Sequence, residues 1–432
     1  MVQVPHIESE QLSSSYKFAT RTWRHSFHSI CSRVACFPPT LAHYFIQSYT
    51  KPGDRVLDIF SGTGTAPLQA CLDGRVGIGN DLSPEAYVLT SAKVNAPKSR
   101  DFCDYLREVS RRLRSASNPK IDDDLYFGSD FLREKLNPSV FYHRDTLVEI
   151  VKLRNLLLHD LSSRSESRVQ KGMFCAALTL GILHGDRPES LSLPLDRSKS
   201  LTPNHLVKMR QAFPGKYEIV FKDLMRCLSL KAEKAYKHVP PRRHGYASQE
   251  DAKLFKVNKP VKLVITSPPY FAAHTYAYDN RHRLWFLGHD YREVNERMFQ
   301  TPSKTQYLAY VLQCLKGIEE MLEDDSACVL VVGDVEMVSK NEKIIVKTGD
   351  EVAHAWADLR NTEMEVARII VDPIPLKSRR YIHVPITQGI KVERIVIFHK
   401  GSPAFTEPWI DWTVRPRLEN GPNWSSIPSS KD

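Results

Sequence analysis

Along residues 55–95 the apolar and polar positions follow two rhythms in turn. "RVLDIF" is a short apolar run that reads as a buried strand, "SGTGT" as a glycine turn, and "APLQACLDG" as a short helix stopped by Gly74. "RVGIGND" reads as a second strand, and "SPEAYVLTSAKVN" opens a helix with Ser83 as N-cap and Pro84 at its first position. Strand, turn, helix, strand, helix is half of a doubly wound α/β sheet.

From about 96 to 240 the pattern becomes helical, in "TLVEIVKLRNLLLHDL", "MFCAALTLGILHG" and "EIVFKDLMRCLSLKAEKAYK". Polar breaks such as "SSRSESRVQK" and "PLDRSKSLTPN" separate these stretches. From about 244 the alternation resumes: a third strand and turn in "GYASQEDAKLF", a fourth in "VKLVITSPPY", a helix in "TQYLAYVLQCLKGIEEML" and a fifth strand in "SACVLVVGDV". A helix in "DEVAHAWADLRN" leads to an antiparallel strand pair, "EVARIIVDPIP" and "KVERIVIFHKG". The expected fold class is α/β, a doubly wound sheet with an inserted, mainly helical domain. Its parts are an N-terminal arm (1–27), a first half (28–95), the insertion (96–240), a second half (241–401) and an irregular tail (402–432).

Composition narrows this picture little. With 42% hydrophobic and 25% charged residues among 432, the chain has the make-up of a globular protein. No run of eighteen apolar residues predicts a membrane span. The start lacks an apolar core behind a basic stretch, so it reads as a loose arm and not as a secretory signal. Sixty Lys and Arg against fifty Asp and Glu give +10, a modest lean toward polyanions. The eight cysteines are scattered without a CxxC pair, which favours buried thiols in a reducing cytoplasm. No HExxH or Cys/His cluster occurs, so no metal site is expected.

Two stretches carry candidate chemistry. In "DIFSGTGT", Gly62 and Gly64 let the backbone turn sharply beside a ligand, and Asp58 and Asp81 end successive strands. A carboxylate there commonly accepts both hydroxyls of a ribose. The full GxGxxG fingerprint and the GK[ST] of a phosphate loop are missing, and an ordinary tight turn is the alternative. In "SPPY", two prolines fix φ and remove donors. Ser267, the Pro268 carbonyl and the Tyr270 ring are thereby held at a strand's carboxyl end. Such a corner can stack a flat heterocycle and accept hydrogen bonds from its amino group; a proline turn capped by a core tyrosine is the alternative.

Together these residues resemble the amino-methylating DNA methyltransferases, whose marks are a [DNS]-PP-[YF] tetrapeptide and a D-x-F-x-G-x-G-T glycine motif. The likeness covers roughly 20–100 and 240–400. It implies a Rossmann-like methyltransferase sheet and S-adenosylmethionine as cofactor. Asp58, Phe60, Gly62, Gly64 and Thr65 match the cofactor loop, Asp81 the ribose carboxylate, and Asp251 the acid near the adenine. "HSICSRVACFPPTLAHYFIQSYTKPGD" (28–54), with Phe37 and Pro38, resembles the segment that helps bind the cofactor's methionine end. Ser267, Pro268, Pro269 and Tyr270 match the catalytic tetrapeptide. A serine at its head is typical of the N4-cytosine branch, which "TSPPYFAAHTYAYDNRHRLWFLG" also resembles.

The implied activity is methylation of duplex DNA on the amino group of an extruded base, most simply N4 of cytosine. N6 of adenine, an RNA amine, or a silent nucleic-acid-binding subunit are the alternatives. Methylation of a ring carbon needs a cysteine nucleophile, usually after proline, and no cysteine here follows one. The resemblance also implies a cytoplasmic, DNA-associated protein of a prokaryote or virus, with a restriction endonuclease as a candidate partner. Basic runs such as "REVSRRLRS" and "KAEKAYKHVPPRRH" suit phosphate contacts or solvated helix faces equally.

Overall fold

In chain order, strand β1 (His6–Glu8) precedes helix α1 (Pro39–Tyr49), then β2 (Arg55–Asp58), α2 (Thr65–Leu72), β3 (Val76–Asn80) and α3 (Pro84–Val94). Five helices follow: α4 (Ser99–Ser115), α5 (Arg144–Leu161), α6 (Glu166–Leu180), α7 (Pro203–Ala212) and α8 (Leu224–Ala235). The sheet resumes with β4 (Tyr246–Ser248) and β5 (Val261–Thr266). Helices α9 (Tyr276–Asp279), α10 (Arg281–Phe286), α11 (Tyr291–Arg297) and α12 (Lys304–Met321) then lead to β6 (Leu322–Gly333). A hairpin of β7 (Val335–Ser339) and β8 (Glu342–Val346), helix α13 (Thr348–Ala357), β9 (Met364–Pro373) and β10 (Val392–Lys400) complete the order. The computed structural model describes residues 5–8, 12, 16, 23–33, 36–119, 121, 141–192, 203–271, 276–339, 342–373 and 392–429. The polar break at 193–202 and the four residues 272–275 after the proline corner lie outside the described residues.

Eight strands form one sheet in the order β1-β9-β10-β6-β5-β2-β3-β4. β10 runs antiparallel to both its neighbours, and the other pairings are parallel. From β2 the chain moves outward through β3 and β4, then returns to lay β5 on the other side of β2. This reversal opens a crevice between the carboxyl ends of β2 and β5, where ligands of doubly wound sheets bind. Register follows from period-two burial. Val56, Leu263, Ile265 and Val329 face α1, whereas Leu57, Val264, Cys328 and Leu330 face α12 and α13.

The inserted helices share a core with the sheet's own helices. Leu68 of α2 and Val88 and Leu89 of α3 pack in one apolar cluster with Leu147, Ile150, Phe174 and Leu178. Asp160 of α5 ties this block together: fully buried, it accepts from the Tyr105 hydroxyl at 2.7 Å and the Arg112 guanidinium at 2.8 Å.

Three expectations change on folding. The arm is not loose throughout, because His6–Glu8 pairs in parallel with Ile369–Val371 and covers the exposed edge of β9. The stretch "EIVFKDLMRC" is not helical from its start; α8 begins at Leu224, where Asp223 caps the Arg226 N–H at 2.7 Å. Ser83 holds the N-cap position of α3, but its hydroxyl donates to the buried Glu85 and makes no capping bond. The irregular tail is nonetheless docked: Trp424 stacks on Tyr236 with ring centroids 5.3 Å apart. Among the described residues no helix is long and apolar enough to cross a membrane.

Replacing Asp160 by Ala strands the Tyr105 and Arg112 donors, which hydrogen-bond a charged partner in the native protein. A stability loss of about 2 kcal/mol is expected, read as a lower denaturant midpoint at unchanged slope.

Candidate active site

The glycine loop is held from behind before it can meet a ligand. Asp58, at the end of β2, accepts from the Thr266 hydroxyl at 2.6 Å and from the Phe60 N–H at 3.1 Å, which staples β2 to β5. Burial pushes this carboxyl from 3.8 up to about 7, against the pull of those two bonds. The Ser61 N–H donates to the Asn80 carbonyl at 2.9 Å, and the buried ammonium of Lys93 donates to the Thr63 carbonyl. Gly64 sits at φ +73° with its α-carbon turned to α3; a Cβ there would lie 2.9 Å from the Thr90 backbone. No other residue fits that position without displacement.

These supports aim one carboxylate. Asp81, just past β3, accepts the Gly62 N–H at 2.8 Å on Oδ2 and the Ser83 N–H at 3.0 Å on Oδ1. Each oxygen keeps further acceptor capacity, so the group is oriented yet able to take two hydroxyl donors.

On the far side of the crevice, β5 ends at Thr266 and the chain turns through Ser267, Pro268, Pro269 and Tyr270. The Tyr270 ring is buried, and its hydroxyl donates to Glu393 Oε1 of β10 at 3.2 Å. Burial, then the neighbouring Glu393, hold this phenol well above its ordinary range.

A cavity of ≈ 340 Å³ joins the two sides. Phe60, Gly62, Asp81 and Asp251 line it, as do all four residues of the proline corner. Asp251 accepts the Lys253 N–H at 3.0 Å on one oxygen and leaves the other toward Lys253 Nζ at 3.6 Å. Among the described residues, Phe37, Pro38, Asp58, Gly64 and Thr65 stand outside the cavity wall. Phe37 packs in the core beneath α1, Pro38 caps that helix, and Gly64 and Thr65 start α2.

Other lining residues gave little sign of themselves in the sequence. Arg33 is buried beside Gly62, pairs with Glu85 at 3.2 Å and lies over the Tyr276 ring at 5.7 Å. Burial opposes its charge, but Glu85 and Asp81 outweigh that and raise its pKa. Phe299 and Tyr310 stack in parallel with centroids 3.8 Å apart and close another wall. Arg33 carried one weak signal, a cation within the otherwise apolar "CSRVACF". Tyr310 lies in an ordinary amphipathic helix and Phe299 in a connector, so neither stood out. Seven of the eight cysteines are buried; Cys36 is exposed and lines the cavity, 3.6 Å from the Thr63 hydroxyl. Among the described residues no group of three His, Cys, Asp or Glu is placed to hold a metal.

The raised Asp58 carboxyl has a consequence for stability. Its folded pKa of about 7 exceeds the ordinary 3.8, so its stabilising contribution is complete below 3.8 and is lost as pH rises through 7. Asp58→Asn removes that dependence while keeping an acceptor for Thr266. The stability of the variant relative to wild type should climb between pH 4 and 7, by at most about 1.4 kcal/mol per pH unit. Parallel curves in chemical denaturation across that range would show that Asp58 does not titrate there.

Residues 3–92 match the family described as DNA methylase. The type II methyltransferase M.PvuII of Proteus hauseri is 41% identical over 63 residues, 15% of this chain and 18% of that protein. The type II methyltransferase M.MjaII of Methanocaldococcus jannaschii is 28% identical over 114 residues, 26% of this chain and 22% of that protein. The matches span well under half the length of these curated relatives. The solved structure of TrmN from Thermus thermophilus aligns with 87% of this chain and 52% of its own at 11% identity. Its TM-score of 0.31 is too low to carry an argument. S-adenosylmethionine is the cofactor that this family uses, and the oriented Asp81 and the adjoining cavity fit it. Through the segment that spans α1, the glycine loop and most of α3, the chain is similar to the family described as DNA methylase.

Proposed function

We propose that this protein methylates the exocyclic amino group of a DNA base extruded from the duplex, N4 of cytosine in particular. The observation that carries this reading is a shared cavity: Asp81 and the Ser267–Tyr270 corner line the same ≈ 340 Å³ space at the reversal of the strand order. A methyl donor held by one wall and a base amine held by the other would meet there.

S-adenosylmethionine, when bound, supplies a methyl group on a positively charged sulfur. Asp81 would accept the two ribose hydroxyls, and Phe60, Leu82 and Ala252, which line the same cavity, would give an adenine apolar walls. Asp251, on the same cavity wall, would accept from that ring's amino group. The buried Arg33 Nε has no hydrogen-bond partner among the described residues, and a carboxylate at the donor's amino-acid end would satisfy it.

The chain's contribution to the chemistry is orientation. The lone pair of an aromatic amine is delocalised into its ring and attacks poorly. Hydrogen bonds from the amine to Ser267 Oγ and the Pro268 carbonyl would turn that lone pair toward the incoming methyl, without a covalent intermediate. The Tyr270 ring offers a face on which the base can stack, offsetting part of the few kcal/mol needed to extrude it. Serine at position 267 supports cytosine over adenine. The type II methyltransferase relatives support DNA over RNA, and a cognate endonuclease in a prokaryotic or viral setting fits the same reading.

Ser267→Ala and Tyr270→Ala should each lower turnover by about 10²-fold and leave cofactor affinity near wild type. Equal transfer of labelled methyl by wild type and Tyr270→Ala would overturn the assignment. Nucleosides from DNA methylated by the protein should contain 4-methylcytosine under mass spectrometry. 6-Methyladenine alone would move the target to adenine, and methylation of RNA but not duplex DNA would move it to single strands.

Arg242 and Arg243 are exposed on the segment leading into β4. If they contact phosphates, replacing both by Gln should make the salt dependence of DNA binding shallower by about two in log–log slope. An unchanged slope would place them outside the interface.

A further inference from the structure

Methylating an amine leaves a proton to dispose of, and the structure holds a path for it behind the proline corner. When a neutral amino nitrogen forms its bond to carbon it becomes cationic, and one N–H bond must then break. In the proposed pose that hydrogen points at Ser267 Oγ. The Ser267 hydroxyl lies beside the Tyr270 oxygen and pulls against the rise of its pKa, and the Tyr270 hydroxyl donates to Glu393 Oε1 at 3.2 Å. A row of hydroxyls thus leads from the cavity to a carboxylate on β10.

The surroundings of Glu393 suit an acceptor of protons. On β9 the residue in register with it is Asp372, whose Oδ2 accepts the Tyr16 hydroxyl at 2.8 Å. On β6 its register partner is Gly333, which carries no charge. Arg394, the next residue on β10, is committed elsewhere: its Nε donates to Asp334 at 2.8 Å and its Nη1 to Asp350 at 3.2 Å. Among the described residues, Tyr270 is the hydrogen-bond partner of Glu393, and no cation neutralises it. Burial, then the charge of Asp372, push the Glu393 carboxyl from 4.5 up to about 7, against the bond from Tyr270. Such a group takes a proton readily near neutral pH.

We propose that Glu393 is the terminal acceptor of the proton released in methyl transfer, reached through the hydroxyls of Ser267 and Tyr270. The inference rests on the amino-methyltransferase reading above. In the step, the N–H bond breaks and its electron pair stays on nitrogen, discharging the ammonium. Ser267 Oγ takes the proton as its own passes to the Tyr270 oxygen, and the phenolic hydrogen passes to Glu393 Oε1. Both hydroxyls end neutral, the carboxylate becomes a carboxylic acid, and no oxidant or reductant is needed.

The test is single-turnover transfer of labelled methyl to duplex DNA by the full chain, followed against pH. The wild-type rate should rise with pH through about 7 as Glu393 ionises. Glu393→Gln keeps an oxygen for the Tyr270 hydroxyl but cannot take the proton, and Tyr270→Phe keeps the ring but cuts the path. Both should be slower by about 10²-fold, lose the inflection, and bind the cofactor as wild type does. A Glu393→Gln enzyme with the wild-type rate and pH profile overturns the relay. So does a slow Glu393→Ala enzyme beside a normal Glu393→Gln one, which would make Glu393 a mere latch on the ring. A wild-type protein that methylates no nucleic acid overturns the underlying reading, an outcome distinct from either of these.

Discussion

The pairing of β2 with β5 is the contact on which the site depends. Leu57 stands beside Val264, and the Thr266 hydroxyl reaches the Asp58 carboxyl at 2.6 Å across 208 positions of sequence. Closing a loop of that length costs about 5 kcal/mol in chain entropy, a cost that grows only slowly with further insertion. That slow growth is why five helices can lie between the two halves of a cavity. The helices offset the cost by burying their apolar faces in one cluster with α2 and α3. Without the pairing, the glycine loop and the proline corner would be unrelated turns.

Behind both walls of the cavity lies a layer of buried charge. Asp58 and Glu393 have their carboxyls raised by burial, each to about 7, while Lys93 is lowered to about 8 for the same reason. Glu85 is likewise raised by burial even though Arg33 pairs with it. Concentrations of shifted groups mark functional sites more often than structural ones. Here their roles divide: Asp58 and Lys93 fix the loop backbone, Arg33 faces the cavity beside Asp81, and Glu393 sits behind the aromatic corner. The rigidity of the first two lets Asp81 keep its orientation at no reorganisation cost when a ligand arrives.

A good part of this was legible beforehand. Short apolar runs marked β2, β3, β5, β6, β9 and β10, and Gly74 and Pro84 marked where α2 stops and α3 starts. The glycine turn and the proline corner showed themselves directly, because Gly62 and Gly64 permit the positive φ of a sharp turn and Pro268 and Pro269 fix φ whatever surrounds them. Pairing of the arm with β9 was not legible, since three residues with no clear alternation carry no period. Nor was the later start of α8: "EIVF" is as apolar as a helix face, and only the Asp223 cap in place shows where the turn begins.

Sequence alone determined the residue types able to hold a nucleoside and an amine, and it marked the strands, the glycine turn and the proline corner, because those are set by local backbone preference. Only the tertiary structure decided which residues face the cavity. It withdrew Asp58 into a staple and brought in Arg33, Phe299 and Tyr310, and it set Glu393 behind Tyr270. Those assignments depend on which strand ends lie side by side and on what is excluded from water there. Both follow from the order of strands in the sheet, a property of the whole chain that no short window of residues contains.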